Sequence, residues 1–265
     1  NTVVHTDQVR KRHIALKIYY DGGNYSGLAE SVGSDKDQSV ERALFATLQK
    51  AHLVTSRQDA GYSRCGRTDK GVSAAGQVVA LHIKSAFAKS ATLTEPTSQD
   101  NYVSSSSIDE ADLPKNSHDE LTVWVPDMKK PGQWKCKQLS EYPYDKILNN
   151  LLPPDIRVLA WTPVSDDFSA RFSAKPRTYR YFFVRRALDL ERMTRALDYM
   201  KGTHDFRNLC KMDVEQVSNF ERQIVSADIV QVDKDVCYFR IIGQAFLWHQ
   251  IRCIAAVLFL VGRGL

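Results

Sequence analysis

The chain has 265 residues, with 36 Lys and Arg against 31 Asp and Glu, a net charge of +5, 43% hydrophobic residues and 25% charged ones. That length can bury a large core in one domain or two closely packed ones, and the balance excludes a disordered polyelectrolyte while suiting a polyanionic partner. The most apolar run, Cys253 to Val261, is too short to span a bilayer, so no membrane partner is expected. Five scattered cysteines, Cys65, Cys136, Cys210, Cys237 and Cys253, make neither a C-x-x-C pair nor a zinc-like spacing, which predicts reduced thiols in an intracellular setting and no metal centre. The opening NTVVHTDQVRKRH has no apolar core of signal-peptide type and reads as a cropped start.

In chain order, Ile14, Leu16, Ile18 and Tyr20 alternate with Ala15, Lys17 and Tyr19, predicting a strand with one buried face, turned at Asp21-Gly22-Gly23-Asn24. Tyr25 follows in a loop, where it could line a cleft or simply pack. Val40, Ala43, Leu44 and Leu48 keep helical spacing behind Ser39 as the cap. The stretch GYSRCGRTDKGVSAAGQVVALHI, Gly61 to Ile83, then sets Asp69 among Arg64, Arg67 and Lys70 in a glycine-punctuated loop ahead of a Val/Ile/Leu strand. Neighbouring cations favour the ionised carboxylate, hence a nucleophile or base rather than an acid; the plainer reading is a surface ion pair with Arg67. The glycines match neither a Rossmann fingerprint nor a P-loop.

Residues 91–120 carry seven acids against one lysine plus the run Ser104 to Ser107, the composition of a mobile insertion. Leu121 to Val125 is a strand candidate, Tyr144 to Leu152 a helix stopped by Pro153-Pro154, and Ile156 to Trp161 a strand. Phe168 to Arg186 holds Arg171, Lys175, Arg177, Arg180, Arg185 and Arg186 with no acid, and from Arg177 onward Tyr179, Tyr181 and Phe183 share a strand face. Cations interleaved with aromatics suit phosphates and stacked bases, or a core strand with a solvated basic rim. Asp189 to Lys201 reads as a helix ended by Gly202, with Leu190, Met193, Leu197 and Met200 on one face. His204 and Asp205 read as loop-fixing or capping groups. Ile224–Val232 and Val236–Ile242 read as a hairpin. GQAFLWHQIRCIAAVLFLVGRG ends the chain as a largely buried helix from about Phe246, in which Arg252 is expected to meet a carboxylate, the alternative being that it reaches solvent.

GRTDKGVSAAGQVVAL resembles the catalytic motif of the TruA family of tRNA pseudouridine synthases, whose aspartate sits in a G-R-T-D-x-G-V segment. ALKIYYDGGNYSGL is similar to that family's opening strand and Y-D-G-x-x-Y-x-G loop, LNNLLPPDIRVLAW to its passage into the second half, and THDFRNLCKMD with GQAFLWHQIRC to its eukaryotic branch. The resemblance implies an α+β pseudouridine synthase fold: two similar halves, 1–165 and 166–265, sharing a continuous, mostly antiparallel sheet with helices on one face and a basic cleft on the other. It implies an isomerase that detaches uracil from C1′ through N1, rotates it and rejoins it through C5, at tRNA uridines 38 and 39, without cofactor or metal. Asp69 would be the catalytic carboxylate, acting at sugar or base, Tyr179 the active-site tyrosine with Tyr181 as second choice, and Arg252 the partner of Asp69. Arg64, Arg67, Lys70, Tyr25, Arg171, Lys175, Arg177 and Arg180 would contact RNA, with Arg67 filling the space of the flipped base or holding a flanking phosphate. The resemblance further implies a homodimer, cytoplasmic or nuclear with an organelle left open, and more chain beyond Leu265. The competing readings are a non-catalytic tRNA-binding protein or RNA chaperone using the same basic cleft, and an enzyme with Cys65 as nucleophile.

Overall fold

The computed structural model describes residues 11–30, 38–86, 120–126, 134–213, 215 and 217–265. The chain divides into two compact units, Asn1–Ser173 and Ala174–Leu265. The first runs β1 (Lys11–Tyr20), α1 (Val40–Lys50), β2 (Ser63–Arg64), β3 (Ala74–Lys84), β4 (Glu120–Pro126), β5 (Trp134–Ser140), α2 (Tyr144–Asn149) and β6 (Ile156–Pro163). Strand order is β2-β3-β1-β6, all antiparallel, with β4 and β5 as a separate two-stranded ladder. The acidic stretch lies outside the described residues except for Glu120, where β4 begins.

The alternation read in β1 holds: Ile14, Leu16, Ile18 and Tyr20 are wholly buried in one core with Val79, Leu81 and Ile83 of β3, Leu44 and Leu48 of α1, Leu148 of α2 and Ile156 of β6. Burying each such aliphatic side chain contributes roughly 1.5–3 kcal/mol. Helix α1 starts where the sequence places it. Ser39 Oγ accepts from Arg42 N at 3.2 Å, and the N–H groups of Val40 and Glu41 donate to the carbonyls of Gly27 and Leu28 at 3.1 and 3.0 Å, satisfying donors that a helix start leaves open. The second face of β1 is not simply solvated, as one-sided alternation suggests. His13 and Ala15 are also buried, because the segment after β6 folds over them: Val164 N donates to His13 O at 3.0 Å, and Ala15, Ala80 and Ala170 cluster with Val164 and Phe168.

The second unit runs β7 (Arg177–Val184), α3 (Leu190–Asp198), β8 (Gly202–Asp205), β9 (Glu221–Gln231), β10 (Val236–Gly243) and α4 (Gln250–Gly262). Its antiparallel order is β7-β10-β9-β8. Met193 and Leu197 of α3 and Ile254, Ala255 and Leu258 of α4 bury against Phe183, Ile224, Phe239 and Ile241. Asp189 caps α3, accepting from Arg192 N at 3.0 Å. The segment read as loop at His204 and Asp205 is an edge strand, because β9 extends far enough towards its N-terminus to pair with it. Both side chains still fix local backbone: Asp205 accepts from Arg207 N and Nε at 2.9 and 2.8 Å, and His204 Nε2 lies 2.7 Å from Lys201 O. The fold is α+β with antiparallel sheets, as expected. Strand pairing among the described residues gives each unit a four-stranded antiparallel sheet.

Candidate active site

Asp69 lies partly buried between β2 and β3, with Arg67 and Lys70 exposed beside it. Its loop is fastened at several points. Cys65 N donates to Val78 O at 2.9 Å, the Cys65 thiol donates to Gln77 Oε1, and Gln77 Nε2 returns to Gly66 O at 2.6 Å. The thiol proposed as a possible nucleophile is thus engaged by a neighbouring amide. Closer to the aspartate, Leu28 N donates to Thr68 O at 3.1 Å, Gly71 N to Tyr25 O at 3.3 Å and Val72 N to Asp69 O at 3.1 Å. The buried Tyr20 hydroxyl meets Thr68 Oγ1 at 2.7 Å, and Gly22 N donates to Ser73 Oγ at 2.9 Å.

The loop after β1 is therefore the bed on which the Asp69 loop rests, and two of its glycines are sterically required. A Cβ at Gly22 would stand 2.1 Å from Val72 O, and one at Gly27, where φ is +128°, would stand 2.7 Å from Thr68 O. Both obstacles are backbone, which cannot swing aside. Gly22→Ala is expected to destabilise the fold by about 1–3 kcal/mol, read as a melting temperature several degrees lower; an unchanged melt would mean that the two loops do not rest on each other.

Tyr25 donates its hydroxyl to Asp155 Oδ1 at 2.8 Å. Burial and this carboxylate push its phenol well above the usual range, so it is a neutral donor. With Asn24, Arg42 and Asp155 it lines a shallow groove of about 370 Å³ along the start of α1. Arg64, on β2, turns inward: it pairs at 2.5 Å with Glu41, a wholly buried carboxylate of α1. The same carboxylate takes Arg57 at 2.6 Å, the Tyr62 hydroxyl at 3.0 Å and the Glu30 N–H at 3.0 Å. Nothing in the sequence reading singled out Glu41. The available signal was its place on the apolar face, in the i, i+3, i+4, i+7 set Glu41, Leu44, Phe45, Leu48. Arg171 is exposed and stacks over Phe172 at 5.4 Å.

In the second unit the basic strand divides by face. Tyr179, Tyr181 and Phe183 share the helix-side face of β7, as read, but their surroundings differ. Tyr181 packs against Phe239 and Phe259 at 6.3 and 6.2 Å, a core position. Tyr179 sits near the start of the strand, edge-on to Phe246 at 5.0 Å, in the loop that enters α4. The Arg177 guanidinium donates to Gln244 O of that loop. Arg177, Tyr179 and the entry to α4 are thereby brought to one end of the unit. Arg180 is on the opposite face, over Tyr238 at 5.4 Å, and Lys175 is exposed ahead of the strand.

Helix α4 begins at Gln250 rather than near Phe246, because His249 takes a left-handed φ of 60°; Leu247 N is held by Gln250 Oε1 at 2.8 Å. Arg252 corrects the expectation of burial: it is exposed, on a stripe with Ala256 and Leu260, while Ile254, Ala255, Leu258 and Gly262 face the core. The desolvation cost of a buried guanidinium therefore does not arise. Its place in the first turn adds positive charge to a helix end that already favours anions.

Residues 196–265 match the family model described as tRNA pseudouridine synthase. Over 96% of its length the chain is 45% identical to the tRNA pseudouridine(38/39) synthase of Mus musculus and covers 48% of that protein. It is 43% identical to the Homo sapiens protein of the same name, again over 96% of the chain and 48% of the relative, and 38% identical to that of Saccharomyces cerevisiae, over 96% and 49%. The matched model and these relatives all carry the name tRNA pseudouridine synthase. The chain spans about half the length of the curated relatives it matches.

Proposed function

We propose that the chain is the core of an isomerase that converts uridine to pseudouridine in the anticodon stem-loop of tRNA, at positions 38 and 39. The fixed Asp69 loop carries this reading, supported by relatives that bear the name of that activity over nearly all of the chain. The carboxylate acts on the nucleoside, at sugar or base, and needs to be ionised and immobile. Arg252 is the second charged residue assigned to the reaction. Tyr179, rather than the core residue Tyr181, stacks on the flipped uracil or assists removal of its C5 proton. Taking the base out of its stack costs a few kcal/mol, and Arg67 fills the gap or holds the flanking phosphate. The reaction leaves oxidation state unchanged and consumes no energy source, so no cofactor enters it.

Lys70, Arg171, Lys175, Arg177 and Arg180 hold phosphates, while Arg64 supports the loop from within and Tyr25 borders the groove beside it. The acting form is a homodimer in the cytoplasm or nucleus, with an organelle left open. Binding should weaken steeply with salt, and Arg67→Ala should lower the slope of log K against log salt by about 1, measured by tRNA filter binding across a salt series. The test of the activity is tritium release from tRNA labelled at uridine C5, with the parent and Asp69→Ala side by side. Release by the parent alone supports the isomerase. Bound tRNA with no release from either, in the full-length protein as well, would make this a binding module.

A further inference from the structure

We propose that the first unit carries a site for a divalent transition-metal ion of zinc type, formed by His13, His82 and Asp166. His13 and His82 are register partners across β1 and β3, their ring centroids 4.4 Å apart and their planes 11° from parallel. One potential ligand atom from each of the three residues lies within 4.8 Å of the other two. His13 is 5% exposed, and its Nδ1 stands 2.8 Å from Ser165 O. A carbonyl oxygen only accepts, so Nδ1 carries the proton and Nε2 the free lone pair. That Nε2 is buried and has no hydrogen-bond partner among the described residues. A buried acceptor without a donor is costly. An imidazole that gives one nitrogen to a backbone carbonyl and keeps the other bare is arranged as metal-binding histidines are.

The other two ligands are free to adjust. His82 is partly exposed, Asp166 almost wholly so, and His82 Nε2 lies 4.0 Å from Asp166 Oδ1. Two imidazoles and a carboxylate suit Zn²⁺ and its neighbours, with water as a fourth ligand. Ligands at about 2.0–2.1 Å from a tetrahedral ion stand roughly 3.4 Å apart, so binding tilts His82 out of the stack and draws Asp166 inward over a fixed His13. The ion would fasten the segment after β6 onto β1 and β3. Its role is structural, and no step at Asp69 passes through it.

The test uses chelator-stripped protein titrated with Co²⁺ as a spectroscopic probe and with Zn²⁺ against a chromophoric chelator. The parent is compared with His82→Asn and with Asp166→Asn, the latter at a side chain too exposed to threaten folding. The expected result is one equivalent bound, a tetrahedral cobalt absorption displaced by zinc, and a zinc-dependent rise in melting temperature. Affinity should fall at least tenfold in His82→Asn, and also in Asp166→Asn. No stoichiometric binding by the parent, or equal binding by parent and both variants, would overturn the site.

Discussion

Asp69→Asn is expected to lose at least about 10³-fold in tritium release while still binding tRNA and melting near the parent's temperature. The substitution keeps the side chain's shape and removes its charge and basicity, which separates carboxylate chemistry from mere occupancy. The fold should tolerate it because the substitution is isosteric and the loop is also held by other groups: the Thr68 and Tyr25 carbonyls, the Tyr20 and Thr68 hydroxyls, Ser73, and Gln77 with Gly66. Asp69→Ala should lose turnover to the same extent. A variant that loses tRNA binding in step with turnover would instead show Asp69 holding the substrate. A variant that keeps turnover would remove the aspartate from the chemistry altogether, and Cys65→Ala would then be the next comparison.

Much of this arrangement is legible in the sequence because it depends on short-range order. Ser39 and the apolar spacing behind it locate α1, and the alternation from Arg177 puts Tyr179, Tyr181 and Phe183 on one face of β7. Glycine density around Asp69 announces a shaped loop. What is not legible depends on partners distant in the chain. The glycines of the Tyr20–Leu28 loop cannot be explained until Val72 O and Thr68 O are seen against them. His13 and His82 meet only through the register of β1 with β3. Strand β5, with the sequence WKCKQLS, carries too little apolar alternation to be marked, and the short β2 and β8 exist only because longer strands offer them an edge. The exposure of Arg252 is hidden for the opposite reason. An apolar helix suggests burial all round, yet α4 leaves one stripe open, and the arginine stands on it.

Glu41→Gln should produce the largest loss of stability, about 3 kcal/mol at neutral pH, near the lower end for breaking a buried pair because Arg57 and Arg64 keep 31% and 21% side-chain exposure. Burial on its own would raise the Glu41 carboxyl. The hydrogen bond from Arg57, the Glu30 N–H and the charges of Arg64 and Arg57 outweigh it and hold the group below the usual carboxylate range. A carboxyl depressed in the folded state contributes stability above its unfolded pKa, roughly 4.3 for Glu, and loses it as the pH falls through the folded value. The gap between parent and variant in urea melts should therefore be full at pH 7 and narrow as the medium is taken below that range. Tyr62 does not share this dependence, since burial drives its phenol upward and keeps the proton that it donates to Glu41. A gap independent of pH would assign the loss to packing around the amide. A gap that closes in acid would make α1, through Arg64 on β2, an electrostatic support for the strand that leads into the Asp69 loop.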